Sequence, residues 1–213
     1  MKRFSKTLML GGMILLFLSG TTFADLIDFR TDSPFPGDDP GGDTFYSANI
    51  GTLTLTFTPL GTGTPILFWD SVDGFGVGGG GYEADEIESP EALRISFSSP
   101  IYVNSFGLTD FFYEGGYEEV GSWSLDNANW NSFSQTDHTK LPSPTSNGEY
   151  TLWINSVVSD IWLTAPGVTG AFSEQNHEFS VATVNVAPEP ATMLLIGSGL
   201  IGLAAFKRKF RKR

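Results

Sequence analysis

Between residues 25 and 187 the chain keeps a two-residue rhythm. Leu53, Leu55 and Phe57 alternate with Thr52, Thr54, Thr56 and Thr58, and Leu93, Ile95 and Phe97 alternate with Arg94, Ser96 and Ser98. Successive side chains of an extended chain point to opposite faces, so each stretch predicts a strand with one buried and one wet face. Similar patterns predict strands at Leu26–Phe29, Ile66–Trp69, Tyr102–Leu108, Gly121–Leu125, Tyr150–Asn155 and Asp160–Thr164. Phe179–Val186 changes phase, with Phe179 and Val181 on one face and Val184 and Val186 on the other, which predicts a bulge. Gly, Pro, Asn and Asp clusters such as Ser33–Asp43 and Leu141–Gly148 separate these runs. No part of this region sustains a 3.6-residue period, and no repeat of fixed length is present. Many short strands with turn chemistry between them predict an all-β domain, an antiparallel β-sandwich of jelly-roll type rather than a barrel.

The two ends are patterned differently. Met1–Ala24 has Lys2, Arg3 and Lys6, an apolar run from Leu8 to Leu18, and Thr22 and Ala24 at the −3 and −1 positions. That order predicts a secretory signal peptide cut before Asp25. It holds no Arg-Arg pair, which favours the general secretory route. At the other end Pro188-Glu189-Pro190 precedes an uncharged apolar run, Ala191–Phe206, and a tail in which six of the last seven residues are basic. Prolines fix φ and remove backbone donors, so the Pro-Glu-Pro strip is expected to be extended and accessible. As a helix, residues 191–206 span about 24 Å, somewhat less than a bilayer's hydrocarbon core. The basic tail then belongs in the cytoplasm. The expected division is a signal peptide (1–24), an exported β-domain (25–187) and a terminal signal (188–213) with a transmembrane helix at 191–206.

Pro188-Glu189-Pro190, the Gly197-Ser198-Gly199-Leu200-Ile201-Gly202-Leu203 core and the Lys/Arg end resemble the PEP-CTERM sorting domain of bacterial exported proteins. The resemblance covers about 26 residues and all three parts of that signal. It implies recognition by an exosortase, a membrane-embedded cysteine peptidase, with anchoring in the inner membrane before cleavage near the motif. Release or transfer to the cell surface then follows. It also implies company with exopolysaccharide or biofilm systems. The rival Leu-Pro-x-Thr-Gly signal is absent; Leu141-Pro142-Ser143-Pro144 is not a version of it.

Charge narrows the partners. Between Asp25 and Glu189 lie all 24 acidic residues against Arg30, Arg94 and Lys140, a formal charge of −21. Such a surface opposes nucleic-acid binding, which needs a basic face, and favours solubility and divalent cations. The chain has no cysteine, so stability cannot come from disulfides. Seven carboxylates fall within Asp70–Glu91, around the glycines Gly78–Gly81. Calcium takes six to eight oxygen ligands in loose geometry, which suits a mobile glycine-rich loop. The candidate ligands are Asp70, Asp73, Asp85, Glu86 and Asp110. The competing reading is solvated surface acid. An EF-hand starting at Asp70 fails, because Val72 and Gly81 stand where it needs an acid or Asn and a Glu. Gly76–Gly81 fits G-x-G-x-x-G literally, but nothing predicts the helix that a dinucleotide site requires. His138 and His177 stand apart from any zinc spacing, and no nucleophile with its base can be assembled.

Most aromatic residues are expected in the core. Trp153 and Trp162 are out of phase with Leu152, Ile154, Ile161 and Leu163, so both are expected to face outward, as a sugar-stacking pair unless the sheet is covered on both sides. Three functions follow. The first is a non-enzymatic exported surface or extracellular-matrix protein, associated with exopolysaccharide or biofilm. The second is a calcium-dependent carbohydrate-binding module. The third is a glycoside hydrolase on a sandwich, whose paired carboxylates the sequence cannot place; the adjacent Asp85 and Glu86 would point to opposite sides.

Overall fold

The computed structural model describes residues 25–30, 42–50, 53–78, 86–114, 117–139, 147–166 and 177–187. The signal peptide, Asp85, the Pro188-Glu189-Pro190 motif and the 191–206 span lie outside the described residues. The chain divides into a unit of Asp25–Val186 and a unit of the two terminal segments, and the account below concerns the former. It is all-β, with no helix among the described residues.

Two long strands form the centre. β6 (Ala92–Thr109) and β11 (Tyr150–Thr164) pair antiparallel along most of their length. The sequence rhythm marked each as two strands, and each is one. The interruptions in alternation are register shifts inside a continuous ladder. Between Trp153 and Ser156 β11 carries one extra residue, where Asn155 takes φ +48°. Between Val158 and Asp160 the surplus is in β6, where Ser98, Ser99 and Pro100 are exposed. Such bulges bend a strand and flip its buried phase.

The bend lets β6 serve two neighbourhoods. Its first half pairs with β3 (Leu53–Leu60), which pairs with β2 (Tyr46–Ile50). β12 (Ser180–Ala187) is its other neighbour, and Asn104 Nδ2 donates to Asn185 Oδ1 at 3.0 Å on the second half. Beyond β12 lie β1 (Asp25–Asp28), β5 (Gly74–Gly78) and β4 (Ile66–Asp70). β9 (Val120–Ser124) pairs with the end of β11 and with β10 (Asn131–Ser134). Among the described residues these ten strands form one antiparallel sheet, and β7 (Tyr113–Glu114) and β8 (Tyr117–Glu118) form a small hairpin.

The sheet curls around its apolar face. Phe57 of β3 and Phe75 of β5 lie on strands that do not pair, yet their rings stack at 4.1 Å, with Phe29 edge-on to both. A second cluster joins Phe111, Phe133, Tyr150 and Phe179, with Phe133 and Tyr150 stacked at 5.6 Å. All are buried except Tyr150, which is partly buried. Each such ring contributes about 1.5–3 kcal/mol by leaving water.

Gly74–Gly78 departs from the expectation of a mobile glycine-rich loop: it is a strand, buried at every position. A Cβ at Gly74, where φ is +103°, would lie 2.4 Å from the Val181 carbonyl oxygen, so glycine here permits β5 to approach β12. The expected bulge at 179–186 takes another form. Ser180, Val181 and Ala182 are all buried, while Thr183–Val186 keep an unbroken register with β1. Cover on both faces accounts for the phase change.

Candidate functional site

One ordered polar constellation is on the outer face of the sheet, opposite Phe57, Ile95, Ile161 and Leu163. Because those residues point inward, their strand neighbours must point outward. The registers align two rungs across the strands. Thr58, Arg94, Trp162 and Ser124 are successive partners in one, and Ser47, Thr56, Ser96 and Asp160 in the other. Asp160 ties the rungs together. Its Oδ1 accepts from Arg94 Nε at 3.0 Å, Arg94 Nη2 at 2.8 Å and Ser96 Oγ at 2.7 Å. The Arg94 guanidinium lies over the Trp162 ring, 5.3 Å from its centroid. Burial pushes the Asp160 carboxyl up, but the Ser96 and Arg94 hydrogen bonds and the Arg94 charge together hold it below the ordinary range. The result is a hydroxyl-rich face with one internally neutralised ion pair and one oriented indole. Alternation alone puts Arg94, Ser96, Asp160 and Trp162 on polar phases. Their convergence depends on a register that the sequence does not display.

Trp153 lies near the opposite end of β11, 64% exposed and paired with Ser105. Nine positions of strand separate it from Trp162, up to about 30 Å, so the two tryptophans do not form one local platform. Trp162 is the one embedded in polar chemistry, and it is half-buried.

The calcium candidates fall in several places. Asp70 ends β4 and pairs through its backbone with Gly74; its side chain lies outside the described part. Asp73 sits in the turn that follows, where its carbonyl accepts from Thr109 Oγ1 at 2.6 Å. Asp110 is the next residue after Thr109, has φ +56° and donates its N–H to the Asn147 carbonyl at 2.8 Å. Asp73 and Asp110 therefore share a corner. Glu86 instead offers its carbonyl to the Val77 N–H at 3.2 Å. Near the Asp73 corner is the Arg30 guanidinium. Its hydrogen bonds to Asp28 raise its pKa against the opposing effect of burial, helped by the charges of Asp28, Glu149 and Asp73. Among the described residues no three metal-ligating side chains converge.

Several acids are far from solvated surface charge. Glu88, Glu91 and Glu119 are buried. The Glu119 carboxylate accepts the Phe112 N–H, and its carbonyl accepts the Gln135 N–H at 3.0 Å, so it fastens the approach to β9. Thr164 Oγ1 donates to the Glu91 carbonyl at 2.6 Å. His177 is half-buried and accepts the Val120 N–H at Nδ1, 3.1 Å away, while burial pushes its pKa down. These are contacts that shape strands.

Comparison with known proteins bears on the chain's C-terminal end. No curated protein matches the sequence. Among solved structures, the C-terminal domain of a chitobiase from Bacteroides fragilis is similar at 14% identity, over 71% of this chain and 98% of that one. Its TM-score is 0.29, too low to support any functional argument. Residues 186–209 match the PEP-CTERM protein-sorting motif, so the match begins inside β12 and runs through Pro188-Glu189-Pro190. The chain thus carries a PEP-CTERM sorting motif, the mark of an exported protein processed by an exosortase.

Proposed function

We propose that this is a non-enzymatic surface or extracellular-matrix protein whose β-domain associates with exopolysaccharide or biofilm material after sorting. The observation that carries the reading is the motif at 186–209. It follows a domain that carries hydroxyls, an ion pair and an indole together on one face of its sheet. Export runs by the general secretory route, with transient inner-membrane anchoring through 191–206. Removing 188–213 is expected to abolish surface delivery, measured by fractionating cells that express the full and the shortened chain. Unchanged delivery would sink the reading.

A second reading is a carbohydrate-binding module, calcium-dependent if the Asp70–Asp110 region takes up metal. The outer rungs favour it, because hydroxyls and an indole held flat by Arg94 suit an uncharged hydroxylated polymer. Trp162→Ala, Trp153→Ala and the native domain would be compared for retention on the producer's own polysaccharide, with calcium and with chelator. Loss of retention in Trp162→Ala alone supports the rungs as the binding face. Equal retention in all three removes this reading, and indifference to chelator removes its calcium form.

A further inference from the structure

The end of β12 and the start of the sorting motif are the same residues. β12 is an interior strand, with β6 on one edge and β1 and β5 on the other. Its last turn of ladder is the part that β1 holds: Thr183, Val184, Asn185 and Val186 pair with Asp28, Ile27, Leu26 and Asp25. Val184, Val186 and Ile27 are buried, and the Asn185 side chain is tied to Asn104. The motif match starts at Val186, and Pro188 is one residue beyond the last residue of β12. No linker separates folded sheet from processing signal.

A peptidase grips its substrate as extended chain on both sides of the bond that it breaks, largely through backbone groups. At the start of the motif match, the backbone of Thr183–Val186 is already paired with β1, and β6 lies on the other edge of β12. Pro188 and Pro190 themselves lack an N–H to offer. We propose that the cleavage site of this protein extends back into Val184–Val186, and that β1 is a guard strand that must release this segment before the sorting peptidase can cut. The inference rests on the sorting reading above. The cut breaks one peptide bond near the motif: the acyl carbon gains the hydroxyl of water, or the nucleophile of an acceptor, and the departing amine gains the proton. Because only the released form is a substrate, the rate follows the population in which β1 and β12 have parted. Leader removal before Asp25, on the export reading above, would create the free end of that same guard strand.

The test uses the full chain in cells that contain the sorting peptidase, with loss of the tail followed by pulse-chase and intact mass. A short Gly/Ser insertion between Ala187 and Pro188 is expected to speed tail loss severalfold, because the peptidase no longer competes with β1. Ile27→Ala, which loosens β1, is expected to act in the same direction. Leu26→Ala, at a 61% exposed position, should leave the rate unchanged. Should Ile27→Ala fail to fold, the insertion variant still decides, since it leaves every residue of β1 and β12 native. Equal tail loss in the native, insertion and Ile27 forms would overturn the guard-strand inference alone. Retention of the tail by every form, native included, would overturn the sorting reading and this inference with it.

Discussion

Asp160 and Gly74 are residues whose identities are set by close neighbours. The Asp160 carboxylate stabilises the fold while ionised, since its folded pKa is lowered by Ser96 and Arg94 against the effect of burial. A lowered carboxylate contributes in full above its unfolded pKa, about 3.9, and loses that contribution as pH falls through the folded value. Asp160→Asn should therefore cost roughly 1 kcal/mol near neutral pH, about 2–4 °C in Tm, and the gap from native should narrow as pH falls below about 3.9. Thermal melts of both forms at neutral and at acidic pH check this. At Gly74 any side chain meets the Val181 carbonyl at a φ that L-residues avoid. Gly74→Ala should cost roughly 2–4 kcal/mol, read by chemical denaturation. Neither dependence was legible in the sequence. Asp160 looked like any polar strand position, and Gly74 like part of a loop, because the residues that decide both are more than sixty positions away in the chain.

The elements themselves were more visible where alternation is apolar against polar. Leu53–Phe57 and Leu93–Phe97 announced their strands because each buries one face. Tyr46–Ile50 did not, since its run of Tyr, Ser, Ala and Asn carries little contrast, and Gly74–Gly78 did not, because buried glycines resemble turn chemistry. The halves of β6 and β11 were each read, but a register shift breaks the phase and hides their continuity. Asn155 marks one such break. Asn tolerates positive φ, whereas β-branched residues resist it. Asn155→Val is expected to destabilise the domain by about 1–2 kcal/mol although valine is the better strand former, and Asn155→Gly by much less. Ranking the two variants by urea midpoint tests the point.

For the molecule as a whole, sequence pattern yielded the class, an antiparallel all-β domain followed by a PEP-CTERM sorting motif, but not how the sheet closes. Closure depends on Phe57 of β3 meeting Phe75 of β5 and on Phe133 of β10 meeting Phe179, just before β12, contacts between segments that share no ladder. One rung has a wider consequence. Asp25 and Val186 face each other, about 5 Å apart between Cα atoms as antiparallel partners are. A domain whose chain enters and leaves at one point is topologically a ring with a single cut, and the cut can be moved. Closing Val186 onto Asp25 with a tight glycine-containing turn and opening the chain in the exposed Gly61–Thr64 loop should give a circular permutant. It is expected to melt cooperatively within about 5 °C of the native domain, as measured by circular dichroism. By the same geometry the domain can be spliced whole into a surface loop of a host protein without prising that loop apart.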